Sequence, residues 1–68
     1  MFKVGQEVIQ LLTGAGFTTD ETYTILEIKR GKIWLDNGPG NDPSGPFNKN
    51  GQYEGDTMSG FTQRIKEQ

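Results

Sequence analysis

Tyr23-Thr24-Ile25-Leu26-Glu27-Ile28-Lys29-Arg30-Gly31-Lys32-Ile33-Trp34-Leu35-Asp36 is the stretch that decides the fold. Thr22 to Lys29 is rich in β-branched and aromatic residues, the composition of a pleated, half-buried strand. Arg30-Gly31 reads as a two-residue hairpin turn, after which Ile33-Trp34-Leu35 returns antiparallel. Asn37-Gly38 ends that second strand with a dipeptide that tolerates positive φ. Simple alternation sends Tyr23 and Ile25 to one face and Thr24, Leu26 and Ile28 to the other. A β-bulge near Leu26-Glu27 would return Ile28 to the core side, as happens where strands bend into barrels.

Upstream, Phe2-Lys3-Val4-Gly5-Gln6-Glu7-Val8-Ile9 opens the chain. Val8-Ile9-Gln10-Leu11-Leu12 fits a short amphipathic helix about as well as a strand by periodicity alone. Three things favour a strand over residues 4–12. Gly5 weakens a helix start, Thr13-Gly14-Ala15-Gly16 ends the segment, and the neighbouring strands need a pairing partner.

Downstream, composition changes between Gly38 and Gly60, which hold Pro39, Pro43, Pro46 and six glycines among Asn and Asp. Residues 37–52 read as a flexible loop, with a short strand expected around Gln52-Tyr53-Glu54 after the turn Asn48-Lys49-Asn50-Gly51. A structureless stretch this long in a compact domain is usually either functional or disordered. Phe61-Thr62-Gln63-Arg64-Ile65 then alternates apolar with polar residues, as a last strand does.

Four or five short strands with glycine-rich connections predict an all-β fold, a small barrel of antiparallel strands in one domain, residues 1–68. The expected interior is Val4, Val8, Tyr23, Ile25, Ile33, Leu35 and Ile65. A chain of 68 residues buries only about 60% of its unfolded surface, so its core is small. Ten glycines add to the entropy lost on ordering the backbone.

Composition excludes more than it assigns. The chain has no cysteine and no histidine. Disulfides and thiolate zinc sites are thereby removed, as are the usual general base at neutral pH and the usual transition-metal ligand. Ser44, Ser59 and the threonines lack an activating partner, and Asp20 and Glu21 are adjacent, hence on opposite faces of a strand. Gly14-Ala15-Gly16 and Gly38-Pro39-Gly40 lack the lysine of a phosphate loop. No catalytic residue, cofactor or metal is assigned, and the chain reads as a non-enzyme. Asn48-Lys49-Asn50-Gly51 with Glu54 distantly resembles a calcium loop, yet Asn and Asp among Gly and Pro are ordinary turn formers. No apolar run approaches the 18 or so residues of a membrane span, and no signal peptide or glycosylation site is visible.

Phe2-x-Val4-Gly5-Gln6-x-Val8, a gap, Tyr23-x-Ile25-x-x-Ile28, a turn, Ile33-x-Leu35 and the closing Phe61-x-x-Arg64-Ile65 resemble SH3-like small barrels. KOW-type modules and small phage or bacterial proteins share this pattern. The resemblance covers most of the chain outside residues 37–52 and implies a glycine before the first core strand, a long first loop and a central hairpin. It also implies binding of peptides, proteins or nucleic acids rather than catalysis. The chain departs from the nucleic-acid branch, since Gly14 to Thr24 carries Asp20 and Glu21 and no basic residue. It lacks the acidic first loop and paired aromatics of proline-peptide binders as well.

Two surfaces emerge as candidates. If Ile33 and Leu35 point inward, Trp34 points outward beside Leu26, where an exposed Trp serves as a binding anchor or else covers the barrel mouth under the long loop. With Phe17, Phe47 and Tyr53 they form the expected contact set for a protein partner. Lys29, Arg30 and Lys32 cluster next to Trp34, which offers cations for phosphates and a ring for base stacking, joined by Lys3, Arg64 and Lys66 if the termini share that edge. Charged turns also serve simply to keep a sheet edge soluble. A net charge of −2 argues against affinity won by phosphate neutralisation.

The resulting expectation is a non-catalytic module that binds a protein in the cytoplasm of a bacterium or a phage-infected cell, for instance a phage-encoded modulator of a host protein. A nucleic-acid-binding barrel using Lys29, Arg30, Lys32 and Trp34, and a small structural subunit of a virion or complex, are the alternatives.

Overall fold

The computed structural model describes residues 1–56 and 59–68. Five strands carry the fold: β1 (Glu7–Gly14), β2 (Phe17–Lys29), β3 (Lys32–Leu35), β4 (Ser44–Phe47) and β5 (Phe61–Glu67). All pairs are antiparallel, in the order β4-β3-β2-β1-β5, and the described residues contain no helix. The ambiguity over the first segment resolves to a strand: β1 is paired along both edges, to β2 and to β5.

The expected hairpin and bulge are both present. Arg30 (φ 55°) and Gly31 (φ 76°) form the two-residue turn between the paired Lys29 and Lys32. Ile25 pairs with Leu35 and Ile28 with Ile33, so Leu26 and Glu27 together oppose Trp34. That extra residue returns Ile28 to the side of Ile33 and bends the sheet into a half-barrel. β2 is longer than its apolar content suggested, beginning at Phe17 rather than Thr22. The long first loop implied by the family resemblance is absent. Ala15 (φ 50°) and Gly16 (φ 80°) join β1 to β2 directly, in a second two-residue turn.

Within residues 37–52, expected as a loop, Ser44–Phe47 forms β4 against β3. The next segment spans the gap between the two edge strands of the curled sheet. Tyr53 bridges to Phe47 and Gln52 to Arg64. Hydrogen bonds from Glu54 N to Pro46 O (2.9 Å) and from Ile65 N to Gly51 O (2.7 Å) reinforce the span. Gly51 is required here: it holds φ 86°, and a Cβ at this position would strike the Ile65 carbonyl oxygen.

The core is Val8, Ile25, Ile33, Leu35, Phe47 and Ile65, with Phe2, Tyr23 and Tyr53 packed around it. Val4 does not belong to it and is 61% exposed. Gly5 (φ 87°) reverses the chain, Gln6 N bonds back to Lys3 O, and Gly5 N bonds to Ile25 O. The strand alternation therefore starts only at Glu7, and Phe2 packs against the core in place of Val4. Beyond this packed end, β1 and β2 run on, with β5 still paired to the far edge of β1, as a ribbon whose β2 residues Phe17–Thr22 are all exposed.

Candidate functional site

The outer face of the β2–β3 hairpin gathers the residues singled out first. Ile33 and Leu35 are buried, so Trp34 between them turns outward, and the bulge sets both Leu26 and Glu27 opposite it. Leu26 remains 46% exposed, while Trp34 is half-buried. The cause of that partial burial is β4. A Cβ on Gly45 would lie 3.0 Å from the Trp34 ring and 2.8 Å from the Ile33 carbonyl oxygen, so this glycine leaves the indole its room. One side of Trp34 is thus packed on β4 and the remainder faces solvent beside Leu26.

Lys29 and Lys32 pair across the strands at the end of the same hairpin, on the face that carries Trp34. Arg30 sits in the turn itself. Their field is partly cancelled. Lys32 Nζ lies 2.6 Å from Glu54 Oε1, and Glu27 stands opposite Trp34. The hydrogen bond from Lys32 holds the Glu54 carboxyl below the usual range for glutamate. Arg64 and Lys66 do not join this cluster through the sheet: the register puts them beside Leu11 and Ile9 of β1.

The other expected contact residues lie elsewhere. Phe17 is at the far end of the ribbon, its ring 6.2 Å from that of Phe61 in an edge-to-face arrangement. Gly14 between them has no side chain because the Phe61 ring occupies that space. Phe47, expected to offer contact area, is fully buried (0% exposed) and belongs to the core. It is buried because β4 places it opposite Ile33, where the small interior needs a large ring. Tyr53 stacks obliquely on Phe47 at 5.3 Å and is half-buried, with its hydroxyl over Gly55. Of the five side chains, Trp34 and Leu26 share the outer face of the hairpin, Tyr53 joins Phe47 at the core, and Phe17 stands apart from both pairs.

Residues around Asn48 act as turn formers. Asn48 Oδ1 accepts hydrogen bonds from Asn50 N (2.9 Å) and Gln52 N (3.0 Å), which consumes the oxygen a cation would need.

One apolar feature has no precedent in the sequence reading. Met1, Phe2, Ile28 and Ile33 line a cleft of about 340 Å³ with Gly31, and Lys49 and Asn50 complete its lining. The bulge supplies Ile28 and the reversal at Gly5 supplies the amino-terminal residues. The signal for it was the pairing of a bulge with an isolated Phe2, which only the register makes visible. No helix of the described residues is long and apolar enough to cross a membrane. No known protein family, curated protein or solved structure matches the chain.

Proposed function

We propose that this chain is a non-catalytic interaction module of the SH3-like small-barrel kind that binds a protein partner, with Trp34 and Leu26 at the centre of the contact. The observation that carries this reading is the bulge, which sets an exposed leucine beside a tryptophan on one face of the hairpin. Large apolar side chains left open at a fixed place are what an interface anchor requires. The setting is the cytoplasm of a bacterium or of a phage-infected cell, where such a module acts on a host protein.

The test is affinity capture from host lysate with the native chain and with Trp34→Ala. The variant is expected to keep its circular dichroism spectrum and lose the captured protein. Loss of the folded spectrum instead makes Trp34 a structural residue of the β3–β4 contact and withdraws the reading.

A second reading, nucleic-acid binding by Lys29, Arg30, Lys32 and Trp34, is favoured by their placement on one hairpin end. Three phosphate contacts to a single strand predict a slope of log K on log salt of about −2. Titration of random single-stranded DNA measures it, and no binding at low salt removes this reading. A structural subunit of a virion or complex would instead show a concentration-dependent oligomer in sedimentation.

A further inference from the structure

We propose that the free edge of β2, at Thr18, Asp20 and Thr22, takes up an extended basic peptide as an added antiparallel strand. This site lies at the other end of the hairpin from Trp34 and stands independently of it.

In an antiparallel ladder, alternate residues turn both their N–H and their C=O to the same side. The two-residue turn at Ala15-Gly16 and the register Gly14↔Phe17, Leu12↔Thr19, Gln10↔Glu21 fix which residues those are. Phe17, Thr19, Glu21 and Tyr23 bond to β1, while Thr18, Asp20, Thr22 and Thr24 face the opposite edge. The hydrogen bond from Asp36 N to Thr24 O (2.9 Å), on the β3 side, confirms the parity. That bond is also the last rung on this edge. Asp36 Oδ1 accepts from Gly38 N (2.9 Å), and Asn41 ties back to Asn37 O (2.9 Å) and Gly38 O (3.2 Å). These contacts turn the chain away from β2 where β3 would otherwise continue. Among the described residues, no backbone bond reaches the outward side of Thr18, Asp20 or Thr22.

An open edge of this kind offers six main-chain groups in the spacing of a strand, the basis of recognition by strand addition. Room for alternate side chains exists beside it. A cleft of about 320 Å³ runs between the inner face of β2, at Thr19, Glu21 and Tyr23, and Asn37 and Ser44. The occupant's charge follows from the two carboxylates. Asp20 lies on the outer face, across β1 from Arg64, and Glu21 on the inner face. Neither has a cation within ion-pair distance among the described residues, whose pairs are Met1–Glu67 and Lys32–Glu54. A strand with lysine or arginine at successive positions would meet both. A second copy of this chain fits poorly, since a two-fold at Asp20 sets it against the same residue of its partner, and like charges directly opposed destabilise a ladder.

The experiment uses the full chain and a fluorescein-labelled hexapeptide with two central lysines flanked on each side by two valines, which sends one lysine to each face. A control of the same charge carries proline at the two valines next to the lysines, one of which must donate to the edge in either register. Expected results are saturable binding of the first, at least tenfold weaker binding of the control, and slowed hydrogen exchange at the Thr18, Asp20 and Thr22 amides. Asp20→Pro removes an outward donor without touching the ladder to β1, and is expected to abolish binding. Should that variant fail to fold, the charge reversal Asp20→Lys/Glu21→Lys decides: it must lose the lysine peptide and gain the matching peptide with two central glutamates. Trp34→Ala should bind the lysine peptide as the native chain does. Equal binding of both peptides, no binding at millimolar concentration, or edge amides already protected in a dimer without peptide would overturn the proposal.

Discussion

The packed end of the molecule and the β1–β2 ribbon share one antiparallel ladder but are stabilised differently. At the packed end, five strands and the bridging segment Gly51–Glu54 enclose six buried apolar side chains. Along the ribbon, every β2 residue from Phe17 to Thr22 is exposed, and order comes from the ladder, two-residue turn geometry and contacts such as Phe17 on Phe61. The packed end is therefore a set of mutually dependent contacts. The ribbon is a sum of small terms, which leaves it free to carry an open edge. A marginal core can hold such an extension because β1 is clamped on its other side by β5 from Val8 to Gly14.

The sharpest contrast is between two phenylalanines. Phe47→Ala empties the largest side chain of the core and should cost about 3–5 kcal/mol. That approaches the whole stability of a small domain, about 5 kcal/mol at the lower end. The expected outcome is loss of the cooperative thermal transition followed by circular dichroism. Phe17→Ala removes an exposed edge-to-face pair and should cost about 1 kcal/mol or less. If the two variants melt alike, the division between a packed end and an independent ribbon is wrong.

A second pair compares glycines of the same conformation. Gly51→Ala forces an L-residue into positive φ and drives its Cβ against the Ile65 carbonyl oxygen, where backbone must move. The left-handed term alone is about 1–2 kcal/mol, and the clash adds to it. Gly16 has φ 80° but open space around its Cβ direction, so Gly16→Ala carries only that conformational cost, about 1–2 kcal/mol, with no clash added. Denaturant midpoints should fall for both, and further for Gly51→Ala. Equal shifts would mean that the bridge between the sheet edges contributes little.

Hydrogen exchange sharpens the comparison within β2 itself. The Thr19 and Glu21 amides, bonded to β1, should exchange far more slowly than those of Thr18, Asp20 and Thr22. A uniform pattern along β2 would mean that its outer edge is covered.

The parts of this architecture legible in the sequence are those where local chemistry and burial agree. Thr22–Lys29 has strand composition, Arg30-Gly31 a turn, and the apolar spacing of Ile25, Ile28, Ile33 and Leu35 requires the bulge that is found. The ribbon was not legible for the opposite reason. Phe17-Thr18-Thr19-Asp20-Glu21 has no apolar alternation because neither face is buried. Its turn places Ala15 at φ 50°, where Asn or Gly would have announced it. β4 was hidden by Gly45 and Pro46, residues depleted in strands, yet Gly45 is there to let Trp34 pack and Phe47 to fill the core. Val4 falls outside the core because the reversal at Gly5 breaks the alternation that spacing alone would extend to it. At the candidate site, Trp34 beside Leu26 followed from strand pairing. The buried state of Phe47 depended on a strand that composition argued against.

The smallest expected effect is electrostatic, and it tests whether surface pairs help tie the chain's ends to the packed region. Glu54 is held below its ordinary pKa by the hydrogen bond from Lys32 and by that cation's charge. Glu67 is held low by the Gln6 amide first, then by the amino terminus, 3.3 Å away. A carboxylate with a depressed folded-state pKa contributes stability above its unfolded value, about 4.3 for glutamate. That contribution disappears as the pH falls from there through the lower folded-state value. Melting temperatures measured between pH 6 and pH 3 should therefore drop more in the native chain than in Glu54→Gln/Glu67→Gln. The difference should shrink in high salt, because both pairs are exposed and screened. Tyr23 works in the alkaline direction. The hydrogen bond of its hydroxyl to Glu21, with some burial and the nearby negative charge, raises its pKa, so its contribution holds up to about pH 10 and fades above. Parallel acid profiles in the native chain and the double variant would show that the hydrogen-bonded carboxylates add nothing, leaving the bridge at Gly51–Glu54 and the core to hold the packed end alone.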